Sequence, residues 1–269
     1  MESFRDKLRP GVTQIGLCIM YPAPGVVERI GADWDWIWLD GQHGQMGYSE
    51  LLPLVRACDL VQRPAFVRVA WHETGPIGLA LDMGAAGVIV PCVDTPDQAR
   101  ALVDAAKFPP LGKRSYGARR PIDRHGRLYV NTANTDTMLV LQIETPEGIA
   151  NADAIAALPG VDALFLGPDD IMLRRGHPMD APRNRATLWE DMIAVTRPCR
   201  KHGKAAVTVG RGAEWFTLCM EAGFNMIVAG GDVPFLADSS RQAAAEARGF
   251  VKGFVPKPGS GSATSNKLY

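Results

Sequence analysis

Eight apolar runs of strand length, each followed by a segment of helical periodicity, predict a single-domain α/β barrel of the (β/α)8, or TIM, type. The length of 269 residues suits one such domain. No Gly-x-Gly-x-x-Gly follows the first strand, which counts against the alternative, an open doubly wound nucleotide-binding sheet. No repeat of fixed period and no domain boundary interrupts the pattern.

Gln14 to Met20 reads as the first strand, followed by a short apolar-periodic stretch from Gly25 to Gly31. Trp34 to Asp40 alternates strongly and reads as the second strand, closing on Asp40-Gly41-Gln42-His43-Gly44. Its helix spans Tyr48 to Leu60, with Leu51, Leu54, Val55 and Cys58 apolar. Pro64 opens the third strand, Ala65 to Val69, and Pro76 opens the helix around Ile77 to Met83. Gly87 to Val93 is the fourth strand; Asp94 or Thr95 caps the next helix, Pro96 suits its first turn, and it runs to Lys107. From Phe108 to Asp136 the rhythm breaks into a long stretch rich in arginine and proline with no clear strand, of the kind that is functional or disordered in compact α/β domains.

Met138 to Glu144 is the fifth strand and Ile149 to Leu158 its helix. Ala163 to Gly167 is the sixth; a segment rich in arginine, proline and methionine, Ile171 to Arg185, precedes the helix Ala186 to His202. Ala205 to Val209 is the seventh, with the helix Ala213 to Ala222. Asn225 to Ala229 is the eighth, closing on Gly230-Gly231-Asp232 before a last helix from Pro234 to Phe250. Residues 1–256 are thus expected to form the barrel with a C-terminal packing helix, and 257–269, rich in Gly, Ser and Thr, a disordered tail.

Composition removes several classes of function. Twenty-nine basic residues balance 29 acidic ones, so neither nucleic acid nor an anionic membrane meets an electrostatic footprint. No apolar run reaches bilayer length, and the charged start Met1 to Lys7 lacks a signal-peptide core. Five scattered cysteines without a C-x-x-C spacing read as reduced, mostly buried thiols of a soluble cytoplasmic protein.

In a barrel of this type chemistry sits at the carboxyl ends of the strands. Reading those ends gives Asp40 and His43 after the second strand, Arg68 near the end of the third, Glu144 after the fifth and Asp170 after the sixth. Glu144 and Asp170 emerging at one edge would hold a hard divalent cation, with water and substrate oxygens completing an octahedron. Asp40 lies close enough to fix the tautomer of His43 as a base; a histidine bonded only within its loop is the plainer alternative. Arg68, in an apolar strand, needs an anionic or carbonyl partner, and Asp40 and Glu144 are both candidates. Asp82, on the third helix, reads equally as a catalytic group or as a helix-terminal or subunit-contact carboxylate. His72, His125, His177 and His202 show no metal-ligand spacing and read as solvated or structural. No lysine stands at a strand end, since Lys113 is in the long loop and Lys204 precedes its strand; this argues against Schiff-base chemistry.

Leu39-Asp40-Gly41-Gln42-His43-Gly44, Val67-Arg68-Val69, Leu81-Asp82-Met83-Gly84-Ala85 with Val90-Pro91, Gln142-Ile143-Glu144-Thr145 and Gly167-Pro168-Asp169-Asp170-Ile171 together resemble the metal-dependent class II pyruvate aldolases. The resemblance is to the 4-hydroxy-2-oxoheptanedioate and 2-dehydro-3-deoxyglucarate aldolase type, phosphoenolpyruvate/pyruvate barrels related to the citrate lyase beta subunit, and covers nearly all of residues 11–250. It implies cleavage of 4-hydroxy-2-oxo acids to pyruvate and an aldehyde, with Glu144 and Asp170 as ligands of Mg²⁺, Mn²⁺ or Co²⁺. Arg68 would hold the keto oxygen and stabilise the enolate. Gln142 and the backbone of Gly167, Pro168 and Asp169 would bind substrate, and His43, oriented by Asp40, would move the proton. It also implies homohexamers, trimers of dimers, with Asp82 at a site near subunit contacts. Oxaloacetate decarboxylation and acyl-CoA ester cleavage use the same enolate and are the nearest rivals; a non-catalytic barrel with a binding or assembly role is a further one.

Three positions depart from the pattern. Gln42 replaces the usual glutamate before the histidine, removing a charge beside the base. The loop from Pro109 to Arg120 keeps a Pro-Pro-x-Gly-x-Arg frame but carries Ser115-Tyr116 where several relatives have glycines, and its basic residues are candidates for the acceptor's distal anion. Cys18 stands where relatives often place a bulky aromatic, implying an altered aldehyde pocket.

Overall fold

Strand pairing follows chain order all the way round. In the computed structural model, which describes residues 4–9 and 11–255, β1 (Gln14–Ile19), β2 (Trp36–Asp40), β3 (Ala65–Arg68), β4 (Gly87–Val90), β5 (Met138–Ile143), β6 (Ala163–Leu166), β7 (Ala205–Val209) and β8 (Met226–Gly231) pair in parallel and close as a barrel through β8 and β1. All eight predicted strands are present. Most end a residue or more earlier than their apolar runs. The fourth stops at Val90 because Pro91 has no N–H to continue the ladder and Cys92 takes a left-handed backbone conformation (φ +53°).

The connecting helices are α1 (Pro24–Ile30), α2 (Tyr48–Leu60), α3 (Thr74–Asp82) and α4 (Pro96–Ala106), then α5 (Arg119–His125), α6 (Val130–Asp136), α7 (Pro146–Ala156), α8 (Pro168–Arg174), α9 (Arg185–Lys201) and α10 (Ala213–Ala222). Thr95 caps α4 in a reciprocal capping box with Gln98, and Thr145 caps α7 through the N–H of Gly148. The stretch from Phe108 to Asp136 holds α5 and α6, and the segment after β6 opens on α8; neither was expected. Each of these three helices has seven residues, too few to show an apolar stripe, and none has a side-chain cap.

The chain divides into two compact units after Asp232. The second contains most of α11 (Asp232–Gly253), which carries exposed Phe235, Leu236, Phe250 and Val251. The expectation of a disordered tail at 257–269 falls outside the described residues.

Strand pleating sorts the barrel's side chains into two clusters. Leu39, Val67, Leu141, Leu164 and their like face the helices, while Trp36, Trp38, Phe66, Met138, Val140, Phe165 and Val207 form a separate inner cluster. Gly16 of β1 leaves the space that the Trp36 indole fills. Phe4, in a 3-10 turn at the chain start, joins this inner cluster edge-on to Phe66 at 5.4 Å between ring centroids. Side chains alternate with period two, so the inward row of β2 continues Trp36, Trp38, Asp40; that of β3 runs Phe66, Arg68; and that of β5 runs Met138, Val140, Gln142, with Glu144 next. The inward rows therefore turn from aromatic and aliphatic to charged at the carboxyl end of the barrel.

Beneath the amino ends of β5 and β6 lies a second charged group. Lys107 is buried and donates through Nζ to the carbonyls of Asn134 (3.1 Å) and Thr137 (2.7 Å) and to Asp162 Oδ2 (2.7 Å). Asp162 also accepts from the Leu139 N–H at 2.7 Å, and its Oδ1 lies 2.6 Å from Arg5 Nη2. Burial lowers the Lys107 pKa, while Asp162 opposes the shift.

Candidate active site

Asp40 and Arg68 are direct neighbours in the β2–β3 register. The guanidinium grips the carboxylate at both ends, Nε to Oδ1 at 2.9 Å and Nη2 to Oδ2 at 2.6 Å, and lies 4.5 Å over the face of Trp38. Asp40 Oδ1 also accepts from the backbone N–H groups of Gln42 (3.1 Å) and His43 (3.2 Å). Burial alone would raise the Asp40 carboxyl; the hydrogen bonds and charge of Arg68, with those two N–H groups, bring it below its ordinary range. Asp40 thus orders the turn that carries His43 through the backbone, and its carboxylate is committed to Arg68 rather than to the imidazole. The exposed His43 side chain stands at the mouth.

Arg68 Nη1 reaches Gln142 Oε1 at 3.3 Å, and Gln142 Nε2 donates to Glu144 Oε2 at 2.6 Å. Cys92 donates twice to Glu144 Oε1, from its N–H at 2.8 Å and from its thiol at 3.0 Å. A Cβ at Gly167 would lie 2.6 Å from Glu144 Oε2, so only glycine leaves the carboxylate its place. Burial pushes the Glu144 carboxyl above its ordinary range and the charge of Asp170 pushes the same way, against the Cys92 hydrogen bonds and the positive charge of Arg68. Glu144 is thus a buried carboxylate whose hydrogen-bond donors are all neutral.

Asp170, in the first turn of α8, is half-exposed, and Arg174 Nε approaches its carboxylate only to 4.0 Å. Asp169 is ion-paired to Arg183 through its side chain, and Pro168 is buried at the first position of α8 behind Gly167. Among the described residues no group of three His, Cys, Asp or Glu side chains is arranged to hold a metal ion. Glu144 and Asp170 are the oxygen donors that would hold a hard divalent cation: the charge of Asp170 bears unfavourably on the Glu144 carboxylate, and water and substrate would supply the remaining positions.

Not every expected residue joins this group. Asp82 closes α3 at the opposite end of the barrel, just before β4 begins, and accepts from Arg114 Nη2 at 2.8 Å. The basic residues of the loop meet the chain's own acceptors: Lys113 pairs with Asp104, Arg119 with Asp123, and Arg120 with Asp59 and the Met83 carbonyl. Gln42 Oε1 is buried without a hydrogen-bond partner. The Cys18 thiol is pushed up by burial and then by the charge of Asp40, with Arg68 and Asp232 also near.

Two contributors escaped the sequence reading. Cys92 lies inside an apolar run with no polar signature. Asp232, buried, accepts from the N–H groups of Met20 (3.0 Å) and Tyr21 (2.9 Å) and ties the end of β8 to the turn after β1. Its place at a strand end, after Gly230-Gly231, was the available signal.

The HpcH/HpaI aldolase/citrate lyase family profile matches residues 24–236. A hydroxypyruvate/pyruvate aldolase of Pseudomonas aeruginosa is 34% identical over 268 residues, 97% of each chain. A 4-hydroxy-2-oxovalerate aldolase of Novosphingobium aromaticivorans is 37% identical over 179 residues, 65% of this chain and 68% of that one. The crystal structure of an HpcH/HpaI aldolase/citrate lyase family protein from Burkholderia cenocepacia J2315 superposes with a TM-score of 0.81 at 29% identity, covering 91% of this chain and 98% of that one.

Proposed function

The chain belongs to the HpcH/HpaI aldolase/citrate lyase family, and we propose that it is a divalent-metal-dependent pyruvate aldolase. In this reading it cleaves 4-hydroxy-2-oxo acids to pyruvate and an aldehyde and catalyses the reverse addition. The observation that carries the reading is Glu144, buried with only neutral donors, beside Asp170 and linked through Gln142 to Arg68.

Glu144 and Asp170 would hold Mg²⁺, Mn²⁺ or Co²⁺, which when bound would supply Lewis-acid stabilisation of the charge that develops on the substrate's 2-oxo group. Arg68, held flat by Asp40 and Trp38, presents N–H donors to the keto oxygen and to the enolate that replaces it. Gln142 fixes the spacing between Arg68 and Glu144, and the backbone around Gly167, Pro168 and Asp169 receives the substrate carboxylate. His43 takes the proton of the 4-hydroxyl as the C3–C4 bond breaks. The hydroxyl carbon leaves as the aldehyde, the bond's electron pair remains as the pyruvate enolate, and a proton returned to C3 completes pyruvate.

Assembly is part of the proposal. Asp82 lies at the far end of its own barrel, so in this reading it serves a neighbouring copy of a homohexamer, a trimer of dimers, and the exposed apolar residues of α11 support oligomerisation. Five free cysteines suit a reducing cytoplasm, and no helix among the described residues is long and apolar enough to cross a membrane.

The test is pyruvate release from 4-hydroxy-2-oxoheptanedioate, 4-hydroxy-2-oxovalerate and oxaloacetate after chelation, then after adding back Mn²⁺, Co²⁺ or Mg²⁺. Metal-restored release from a hydroxy acid, lost in Glu144→Ala and Asp170→Ala, is the expected result. Release from oxaloacetate alone would replace the aldolase by a decarboxylase, and metal-independent release would sink the two-carboxylate site.

A further inference from the structure

One peptide group holds Glu144 and is itself held from the other side. The N–H of the Pro91–Cys92 peptide donates to Glu144 Oε1 at 2.8 Å. The carbonyl of the same peptide lies 2.7 Å from His72 Nε2. This peptide is trans, the cis bond among the described residues being Pro109–Pro110, so its C=O and N–H point in opposite directions and His72 and Glu144 lie on opposite sides of it. A carbonyl only accepts, so His72 carries its proton on Nε2. The imidazole is stacked on Trp71, 4.9 Å between centroids and 13° from parallel, in the turn four residues after Arg68. A side chain that showed no role in the sequence therefore connects the turn after β3 to the carboxylate after β5.

Cys92 completes the clamp. Its φ of +53° is a conformation that residues with a side chain seldom adopt, and it persists only where the surroundings over-determine it. Here the determinants are the His72 contact on one face of the peptide and Glu144 on the other. The same turn brings the Cys92 thiol to 3.0 Å from Glu144 Oε1, while Gln142 Nε2 occupies Oε2. Four sites on a carboxylate accept donors, and three are filled by protein groups.

We propose that His72 and Cys92 are positioning residues for Glu144: His72 fixes the Pro91–Cys92 peptide, and that peptide with the Cys92 thiol fixes the carboxylate that binds the divalent metal. The inference rests on the reading of Glu144 as a metal ligand. Partners that orient a ligand from outside the coordination sphere contribute about tenfold to a hundredfold in metal affinity.

The experiment uses the full chain and two readouts. One is Mn²⁺ affinity, from the electron paramagnetic resonance signal of the free ion. The other is hydrogen exchange of the segment containing the Cys92 amide, with metal removed. His72→Ala is expected to weaken Mn²⁺ binding about tenfold and to speed exchange at Cys92. His72→Gln, which keeps an N–H donor of similar reach, recovers most of both. Cys92→Ala loses less affinity than His72→Ala because its amide remains, and Cys92→Ser restores it. A merely structural His72 would lower the melting temperature and leave the Mn²⁺ affinity in place, and that outcome overturns the proposal. Glu144→Ala separates premise from inference. If it abolishes Mn²⁺ binding while His72→Ala matches the parent, the positioning role is wrong and the metal reading stands. If Glu144→Ala binds Mn²⁺ like the parent, the metal reading is wrong, and unchanged Cys92 exchange in His72→Ala would remove the peptide clamp as well. Should His72→Ala fail to fold, His72→Gln and the two Cys92 variants carry the same comparison.

Discussion

Two buried carboxylates at opposite ends of this barrel, Asp162 and Glu144, are treated in opposite ways. At the amino end, Asp162 faces Lys107 and Arg5, and Lys107 has three acceptors for its three N–H donors. At the carboxyl end, Glu144 receives only neutral donors, and the nearby guanidinium of Arg68 is committed to Asp40. One group is electrostatically complete within the described residues and the other is short of positive charge. Completeness belongs to stability, and the deficit is what a cation-binding site requires before its cation arrives.

This contrast breaks most sharply with one carboxylate-to-amide exchange at each end. Asp162→Asn keeps the shape but leaves Lys107 buried without a counter-charge, and removing one partner of such a pair costs about 3–5 kcal/mol. The melting temperature should fall on the order of 10 °C for a chain of this size. Glu144→Gln removes a desolvated charge, so the metal-free melting temperature should equal or exceed that of the parent while Mn²⁺ binding disappears. Thermal melts of both variants in excess chelator decide it. A destabilised Glu144→Gln would mean that the carboxylate is structural.

The difference between the ends also explains what was legible in the sequence. Strands buried on both faces announced themselves as apolar runs, and the carboxyl ends of those runs placed Asp40, Arg68 and Glu144 at the rim. The sequence offered Asp40 two partners, His43 three residues along the chain and Arg68; only the strand register shows that Arg68 is its direct neighbour across the sheet. Lys107 looked like an ordinary helix-end lysine; its burial depends on α6, a helix too short to read. Cys92 was hidden for another reason. Its role comes from a backbone angle and from a carboxylate 52 residues away, neither of which residue type reveals. Asp82 and the basic loop carry the family pattern, yet this chain pairs them with each other and with neighbouring carboxylates far from the mouth.

A smaller effect concerns pH. Arg68 holds the Asp40 carboxyl below its ordinary range, so the folded state binds that proton less tightly than the unfolded chain, where the value is about 3.9. The stability Asp40 contributes is therefore whole above about pH 4 and is lost as pH falls through the lower folded value. Arg68→Met removes the cause and leaves burial to raise the carboxyl instead. The stability gap between parent and Arg68→Met, measured by urea unfolding, should thus be widest near neutrality and narrow as pH falls toward 3. A gap independent of pH would show that the two side chains are coupled through packing alone.

The smallest expected effect tests how far the completeness of the amino end extends toward the surface. Arg5 is 39% exposed, so its 2.6 Å contact with Asp162 is screened by solvent. Arg5→Ala leaves Asp162 with both Lys107 and the Leu139 N–H, so no buried charge is orphaned. The cost should be about 1 kcal/mol at most, a fall of about 2–4 °C in melting temperature that added salt diminishes. The Asp162→Asn loss, by contrast, should survive high salt, because Lys107 and Asp162 are screened by protein rather than by ions. A loss in Arg5→Ala as large as that in Asp162→Asn would mean that the 3-10 turn carrying Phe4 had come away with the arginine, making the aromatic plug rather than the ion pair the element that closes the barrel floor.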